Sequence, residues 1–271
     1  MTLISSWTDH ALAGYLLLLT VATSMCDGTD LPLPQAHAHN DYLHARPLLD
    51  ALDQGFCSVE ADIFLGKNGQ LLVGHTTLDL QAERTLERLY LAPLRERVRQ
   101  FQGRVYPNGP TLQLLIDVKT AGPQTYAVLH PLLASYADIL TEVRKGQVIE
   151  RAVTVVISGN CPREEIAKQA LRYAAIDGRL DDLTSSLPKH LVPLVSLPWK
   201  THFTGKGDAP LTGPEMARLR EMTALAHKHG RRLRFWGSPD TPECWRVQRE
   251  AGVDWLNTDR LSEMRAFLLN R

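Results

Sequence analysis

The chain has 271 residues, and 44% of them are hydrophobic, which is enough for the core of one large domain or two small ones. Its 30 basic residues balance its 30 acidic residues, and no basic stripe marks a surface for nucleic acid. The composition therefore excludes nucleic acid as an expected partner, and it gives no support to broad electrostatic binding to a membrane.

The N-terminal segment, residues 1–25, differs from the rest of the chain. Residues 11–25 carry no charge, and small residues precede a cleavage point just after Ser24. Such a run is too short to span a bilayer and matches the core of a signal peptide, although Asp9 and the lack of Lys and Arg before it are atypical of export signals. We predict an exported chain, periplasmic or secreted, with no transmembrane span in its mature form. The alternatives are an N-terminal helix packed on the domain and a lipid anchor at Cys26, although Thr-Ser-Met before it fits a lipoprotein cleavage box poorly.

The four cysteines are spread along the sequence, at Cys26, Cys57, Cys161 and Cys244, with no C-x-x-C pair and no spacing typical of zinc ligands. Cys57 stands in an apolar run and is predicted to be a small buried residue. One disulfide could form in an exported chain, but the sequence does not choose the pair.

The next segment, residues 26–35, is predicted to be a linker, because Pro32 and Pro34 disfavour a helix there. QAHAHN (35–40) then has the character of a short strand. RPLLDALDQG (46–55) has the apolar spacing of a helix, with a proline near its start and a glycine at its end.

A strand and a returning arm follow. SVEADIF (58–64) alternates as a strand should, GKNG (66–69) is typical of a turn, and QLLVGH (70–75) returns as a second short strand. Later apolar runs that end in polar residues are further strand candidates, at 111–120, 152–158, 172–177, 191–197, 231–237 and 253–259. Amphipathic stretches at 213–230 and 241–252 separate several of them.

Eight short buried strands that alternate with helices indicate a parallel sheet. We predict a closed (β/α)8 TIM barrel over residues 36–271, a single domain with a short extra strand arm after the second strand. An open doubly wound sheet is the alternative, but no G-x-G-x-x-G follows the first strand.

Polar residues recur where the predicted strands end, and in a parallel barrel these ends meet at one mouth. They are His37, His39, Asn40, Glu60, Asp62, Asp117, Lys119, Ser158, Asn160, Asp177, Trp199, Lys200, Trp236, Asn257 and Asp259.

Residues two apart on a strand point to the same face, so Glu60 and Asp62 share a side, as do Asp117 and Lys119. Two carboxylates held together stay ionised only beside a positive charge. One divalent cation with oxygen ligands, Mg²⁺ or Ca²⁺, would supply it, with Asp117 as the third ligand. Pairing of each acid with Arg or Lys is the structural alternative.

The segment HAHNDYLHARPLLDALDQGFCSVEADIFLGKNGQLLVGH (37–75) resembles the start of the PLC-like phosphodiesterases. This superfamily includes glycerophosphodiester phosphodiesterases and phosphatidylinositol-specific phospholipases C. The group of altered inheritance of mitochondria protein 6 is the most similar branch, through its H-N-D-Y, R-P-L, S-V-E-A-D and L-L-V-x-H elements. LLIDVKT, RFWGSPDTPECW and GVDWLNTD extend the resemblance to nearly the whole chain after residue 35.

The resemblance implies the roles of eight residues in a metal-dependent phosphoric diester hydrolase. The catalytic histidines would be His39 and His75, the metal ligands Glu60, Asp62 and Asp117, and the substrate contacts Asn40, Lys119 and Trp236. His39 would take a proton from the nucleophile, and His75 would protonate the departing alkoxide. We expect His37 to support His39.

The chain departs from glycerophosphodiesterases at two of these positions and at the residue that follows His75. Asn40 replaces an arginine, Thr76 replaces an aspartate after the second histidine, and Asp117 replaces the more common glutamate. A phosphodiester, small or lipid-derived, is therefore a better inference than a glycerophosphodiester in particular.

Two other functions stay open. An amidohydrolase also holds metals with H-x-H on its first strand, but it needs further histidines at later strand ends, where this chain offers only His202. A binding barrel that kept the site without turnover is the other alternative.

Overall fold

The computed structural model describes residues 31–204 and 211–270. The predicted signal peptide, the possible anchor at Cys26 and most of the predicted linker lie outside these residues. Among the described helices, none has both the length and the apolar character needed to cross a membrane.

Eight parallel strands form a nearly closed barrel, as predicted. The strands are β1 (Leu33–Ala38), β2 (Phe56–Leu65), β4 (Leu112–Val118), β7 (Val153–Gly159), β9 (Ala174–Gly178), β10 (Leu194–Pro198), β11 (Arg232–Trp236) and β12 (Leu256–Thr258). They lie side by side in the order β11, β10, β9, β7, β4, β2, β1, β12. A single bridge between Arg234 and Trp255 joins the two outer strands.

Helices follow most of the barrel strands and cover the outside of the sheet. They are α1 (Leu49–Asp53), α2 (Ala92–Gln100), α3 (Gly122–Ala134), α4 (Arg163–Lys168), α5 (Trp199–His202), α6 (Gly213–Lys228), α7 (Pro242–Glu250) and α8 (Leu261–Leu269). Thr212 and Glu215 form a reciprocal capping box at the start of α6, and this fixes the beginning of the predicted 213–230 helix.

The extra arm is β3 (Leu71–Val73), which pairs antiparallel with β2 through Ile63 and Val73. The arm confirms the predicted hairpin, and it ends two residues before His75. A second small sheet was not predicted. It contains β5 (Glu142–Arg144), β6 (Gln147–Ile149) and β8 (Leu171–Arg172).

The first strand begins earlier than the sequence indicated. β1 starts at Leu33, inside the predicted linker, and includes Pro34. The ladder between β1 and β2 is irregular between Leu33 and His37, so the missing N–H of Pro34 falls where regular pairing is interrupted.

The two faces of the strands differ in chemistry. On β2, Val59, Ala61 and Ile63 are fully buried and apolar. The alternate residues include Glu60 and Asp62, which face the barrel interior. The apolar core therefore lies between sheet and helices, while the interior of the barrel is partly polar.

Candidate active site

Three carboxylates converge at the carboxyl ends of neighbouring strands. Glu60 and Asp62 lie two residues apart on β2, and Asp62 stands directly opposite Asp117 on β4. One oxygen of each lies within 4.8 Å of the others, and together they form a group able to hold a metal ion. The structure thus brings the three predicted ligands together.

The first of these acids is held by a buried arginine. Arg234 on β11 donates from Nη2 to Glu60 Oε2 at 2.6 Å across the barrel. Burial opposes ionisation of Glu60, but the charge of Arg234 and the hydrogen bond with His37 together outweigh it and lower the pKa of this carboxyl below its usual range. Glu60 is therefore a carboxylate at neutral pH.

Lys119 lies between the other two acids. Its Nζ is 2.9 Å from Asp62 Oδ2 and 3.2 Å from Asp117 Oδ2. Burial and the neighbouring Glu60 raise the pKa of Asp62 to about 6, although Lys119 acts in the opposite direction. The second oxygen of Asp62, Oδ1, is buried without a hydrogen-bond partner.

This cluster fits a hard cation. All its donors are oxygens, which such ions prefer, and the unpartnered Asp62 Oδ1 belongs to it. Arg234 and Lys119 neutralise two of the three negative charges, so one net negative charge remains. The pairing of acids with Arg and Lys, raised above as the alternative to a metal, is thus present, but it leaves the cluster short of one positive charge.

His39 follows β1 and is oriented by an acid from the last strand of the barrel. Its Nδ1 lies 2.7 Å from Asp259 Oδ1. Burial lowers the pKa of His39, but the hydrogen bond to Asp259 and the negative charges of Glu60 and Asp259 together outweigh it, and the net effect is an increase. Because Nδ1 faces Asp259, Nε2 is the nitrogen free to act on a substrate.

Asn40 adopts the left-handed conformation, with φ of 49°, at the point where the chain leaves β1. Its Nδ2 lies 3.3 Å from Asp259 Oδ1, and its Oδ1 accepts a hydrogen bond from the Tyr42 hydroxyl at 2.6 Å. The predicted phosphate-binding residue is therefore fixed beside His39.

His75 reaches the same mouth from the end of the β3 arm. The Tyr42 hydroxyl lies 3.0 Å from its Nδ1, and Asp62 Oδ2 is 3.6 Å from the same nitrogen. The His75 side chain is 56% exposed, so its other face is open to a ligand.

Trp236 ends β11, two residues after Arg234 and on the same face of the strand. It is 47% exposed, so its ring is accessible at the rim of the mouth.

The prediction for His37 was wrong. Its Nδ1 lies 2.6 Å from Ser58 Oγ and its Nε2 lies 3.2 Å from Glu60 Oε2, so its hydrogen bonds run to β2 and not to His39. Burial, and then the charge of Arg234, lower the pKa of His37 to about 3. It is a neutral interior residue that supports Glu60.

Three residues of the site were not assigned from the sequence. Arg234 stands two residues before Trp236, so the same alternation that places Trp236 at the mouth could have revealed it. The sequence places Asp259 among the polar residues at strand ends but assigns it no role, and it identifies Tyr42 only as part of the H-N-D-Y element. Asp259 follows the last strand in a loop and Tyr42 lies in a single short 3-10 turn, so strand or helix spacing gives neither side chain a direction.

Other predictions concerned residues away from this cluster. Cys57, Cys161 and Cys244 are free thiols, and Cys57 is buried as predicted. His202 packs against Phe203 and Phe235 and lies near Arg218, so it adds no ligand to the cluster. Within the described residues, the group able to hold a metal contains no histidine, which disfavours the amidohydrolase alternative.

Comparison with known proteins agrees with this geometry. Residues 29–177 match the model of the AIM6-like phosphodiesterase domain. The chain belongs to this family. It is 32% identical to altered inheritance of mitochondria protein 6 of Eremothecium gossypii, covering 95% of this chain and 78% of that protein. It is 30% identical to the homologue of that protein from Arthroderma benhamiae, covering 88% of this chain and 84% of that protein.

Solved structures with the same fold are glycerophosphodiester phosphodiesterases. The enzyme from Parabacteroides distasonis superposes with a TM-score of 0.55 at 14% identity, covering 88% of this chain and 97% of that one. The enzyme from Thermotoga maritima gives 0.52 at 15% identity, covering 88% and 99%. At these identities the comparison shows a shared barrel fold and no more, while the family match supplies the phosphodiesterase domain.

Proposed function

We propose that the mouth of this barrel hydrolyses a phosphodiester with the help of one divalent cation, Mg²⁺ or Ca²⁺. The observation that carries the proposal is the convergence of Glu60, Asp62 and Asp117 between two histidines that approach from different strands. The three carboxylates would hold the ion. When bound, it would neutralise charge on the phosphoryl oxygens as a Lewis acid.

The charges of the site suit a phosphodiester. With Arg234 and Lys119 present, the three acids keep one net negative charge, and a divalent ion would change this to one positive charge. A phosphodiester carries a single negative charge, so it would bring the buried site to neutrality. A phosphate monoester, with more negative charge, would suit it less well.

The two histidines divide the proton transfers. His39, whose Nε2 is left free by Asp259, is placed to accept the proton of the nucleophile, either water or a neighbouring hydroxyl of the substrate. His75 is placed to donate a proton to the departing alkoxide. Lys119 and Asn40 would bind the phosphoryl oxygens between them.

The substrate is proposed only as a class. Glycerophosphodiesters are suggested by the names of the enzymes that share this fold. The missing arginine at Asn40 leaves phospholipid-derived diesters equally open, and the exposed ring of Trp236 would accept an apolar group at the rim.

The test is an assay of bis(p-nitrophenyl) phosphate with Mg²⁺, Ca²⁺ or Mn²⁺, repeated after chelation. We expect turnover that requires the metal and returns when it is restored. Metal binding by calorimetry without turnover, on this ester and on a set of glycerophosphodiesters, would instead support the binding barrel.

A further inference from the structure

Tyr42 contacts three of the predicted site residues at the barrel mouth. It lies in a short 3-10 helix (Asp41–Leu43) directly after the left-handed turn at Asn40, and its side chain is almost fully buried. Its hydroxyl is 2.6 Å from Asn40 Oδ1, 2.7 Å from Asp62 Oδ2 and 3.0 Å from His75 Nδ1. One atom therefore touches a predicted substrate contact, a predicted metal ligand and a predicted catalytic histidine.

The chemistry of the three partners restricts the direction of these bonds. A phenolic hydroxyl has one hydrogen to donate and an oxygen that accepts. The oxygens of Asn40 and Asp62 can only accept, and the bond to the carboxylate is the stronger because it is charge-assisted. His75 is the partner that can donate, from Nδ1 to the phenolic oxygen. Burial and the charge of Asp62 raise the pKa of Tyr42 well above its ordinary value, so the hydroxyl keeps its proton.

His75 depends on this contact for its orientation. Its side chain is more than half exposed, and the hydrogen bond between its Nδ1 and the Tyr42 oxygen is the one its imidazole forms within the described part of the chain. The two rings also lie nearly parallel, with an interplanar angle of 17° and 6.3 Å between centroids. Without the hydroxyl, an exposed imidazole on a loop would rotate about its side-chain bonds.

We infer that Tyr42 is a positioning residue that fixes the tautomer and direction of His75. Its hydroxyl donates to Asp62 and its oxygen accepts the Nδ1–H of His75, which leaves Nε2 to face the leaving group. This inference rests on the proposed function for its kinetic consequence, but the tautomer itself exists without turnover.

The first test is spectroscopic. In protein labelled with ¹⁵N-histidine at about pH 8, where an ordinary imidazole is neutral, the His75 ring nitrogens report the tautomer. His75→Ala assigns the signals. We expect one dominant tautomer with Nδ1 protonated, and in Tyr42→Phe a shift toward the mixture of an unrestrained histidine. Tyr126→Phe is the matched control, since it removes a hydroxyl that binds Gln169 on the outer helices.

The second test is kinetic. Loss of a residue that orients a functional group typically costs about 10–100-fold, so kcat of Tyr42→Phe should fall by that order on an alkyl phosphodiester with KM little changed. The loss should be smaller on a nitrophenyl ester, which departs without an acid. In the His75→Ala background, Tyr42→Phe should cost nothing further.

The outcomes separate the two proposals. Unchanged His75 signals in Tyr42→Phe overturn the positioning role, whatever the activity. Equal kinetic losses on the two esters also overturn it, because they place the effect of the hydroxyl at Asp62. A changed tautomer in a protein that turns over no phosphodiester supports the role of Tyr42 and refutes the proposed function.

Discussion

Asp62 on β2 and Asp177 on β9 occupy similar positions on two sides of the barrel mouth. Each is only 1% exposed, and each has one oxygen, Oδ1, without a hydrogen-bond partner. Each faces a cation, since Lys119 lies 2.9 Å from Asp62 and Arg179 lies 3.2 Å from Asp177. Burial is the leading cause of a raised pKa in both.

The difference lies in the neighbours. Asp62 has two more carboxylates beside it, whereas Asp177 is a single acid that accepts a hydrogen bond from Ser158 at 2.8 Å. One cation is therefore enough to balance the charge of Asp177. The two cations beside the group around Asp62 leave one of its three negative charges unbalanced. A buried acid at a strand end is therefore no argument for a metal site by itself, and the proposal for Asp62 rests on the excess of negative charge around it.

The largest effect is expected when the charge of Asp62 is removed and Asp177 serves as the reference. Asp62→Asn should abolish metal-dependent activity and metal binding while the barrel stays folded, because the side chain faces the mouth and not the apolar core. Asp177→Asn is the matched control and should keep the metal affinity of the parent. Calorimetry on both variants decides the point, and equal affinities in the two would remove Asp62 from the ligand set.

A second experiment separates the two histidines on the Asp62 side. General acid catalysis contributes about 10²–10⁴-fold, so His75→Ala should lose activity by that order on an alkyl phosphodiester. The loss on a nitrophenyl ester should be much smaller, whereas His39→Ala should be slow on both esters. Steady-state rates on the two substrates are the measurement, and equal losses for His75→Ala would show that it is not the acid.

A third experiment extends the comparison to Asp41, an acid that forms no ion pair with the residues that the structure describes. Asp41 is buried and accepts hydrogen bonds from Tyr90 and from the amide of Leu48. Burial raises its pKa from 3.8 to about 7, so the folded chain binds this proton more tightly than the unfolded chain does. The contribution of Asp41 to stability is fully present below about pH 4 and is lost as the pH rises through about 7.

Asp41→Asn removes this titration. The difference in free energy of unfolding between the variant and the parent should change in favour of the variant by on the order of 2–4 kcal/mol as the pH rises from about 4 to about 8. Denaturant unfolding of both proteins across this range measures the difference, in which the other titrating groups cancel. A constant difference would mean that Asp41 titrates normally in the folded chain.

The smallest effect on activity is expected for Trp236, at the rim of the barrel mouth. Trp236→Ala should raise KM by about fivefold, as the loss of about 1 kcal/mol of ring contact would do, with kcat unchanged. The free energy of unfolding should stay within about 0.5 kcal/mol of the parent, since the residue is largely exposed. A fall in kcat at constant KM would place Trp236 at the reacting centre instead.

Much of the architecture could be read from the sequence, because it depends on local patterns. Most of the eight barrel strands are apolar runs that end in polar residues, and alternation placed Glu60 and Asp62 on one face. The small sheet of β5, β6 and β8 was missed because each of its strands has at most three residues, too few to show a period.

The partners of the site residues could not be predicted in the same way. Arg234 and Glu60 are 174 residues apart, and His39 and Asp259 are 220 apart. Such contacts arise only when the barrel closes and brings its first and last strands together. The prediction that His37 supports His39 was wrong for the same reason, because the hydrogen-bond partners of His37, Ser58 and Glu60, lie on another strand.

The closure of the barrel at β11 and β12 has its own consequence. The main chains of these two strands share one bridge, whereas β10 and β11 pair along five residues. Across this seam, the side chain of Arg234 donates to Asn257 Oδ1 at 2.8 Å and to Glu60 beyond it. The barrel is thus closed between β11 and β12 mainly by the guanidinium of Arg234, whereas other neighbouring strands are joined by main-chain hydrogen bonds. Amide hydrogens along the seam should exchange with solvent before those of the β2–β4 ladder. Glu60, a proposed metal ligand, accepts a hydrogen bond from the same arginine that joins the two strands.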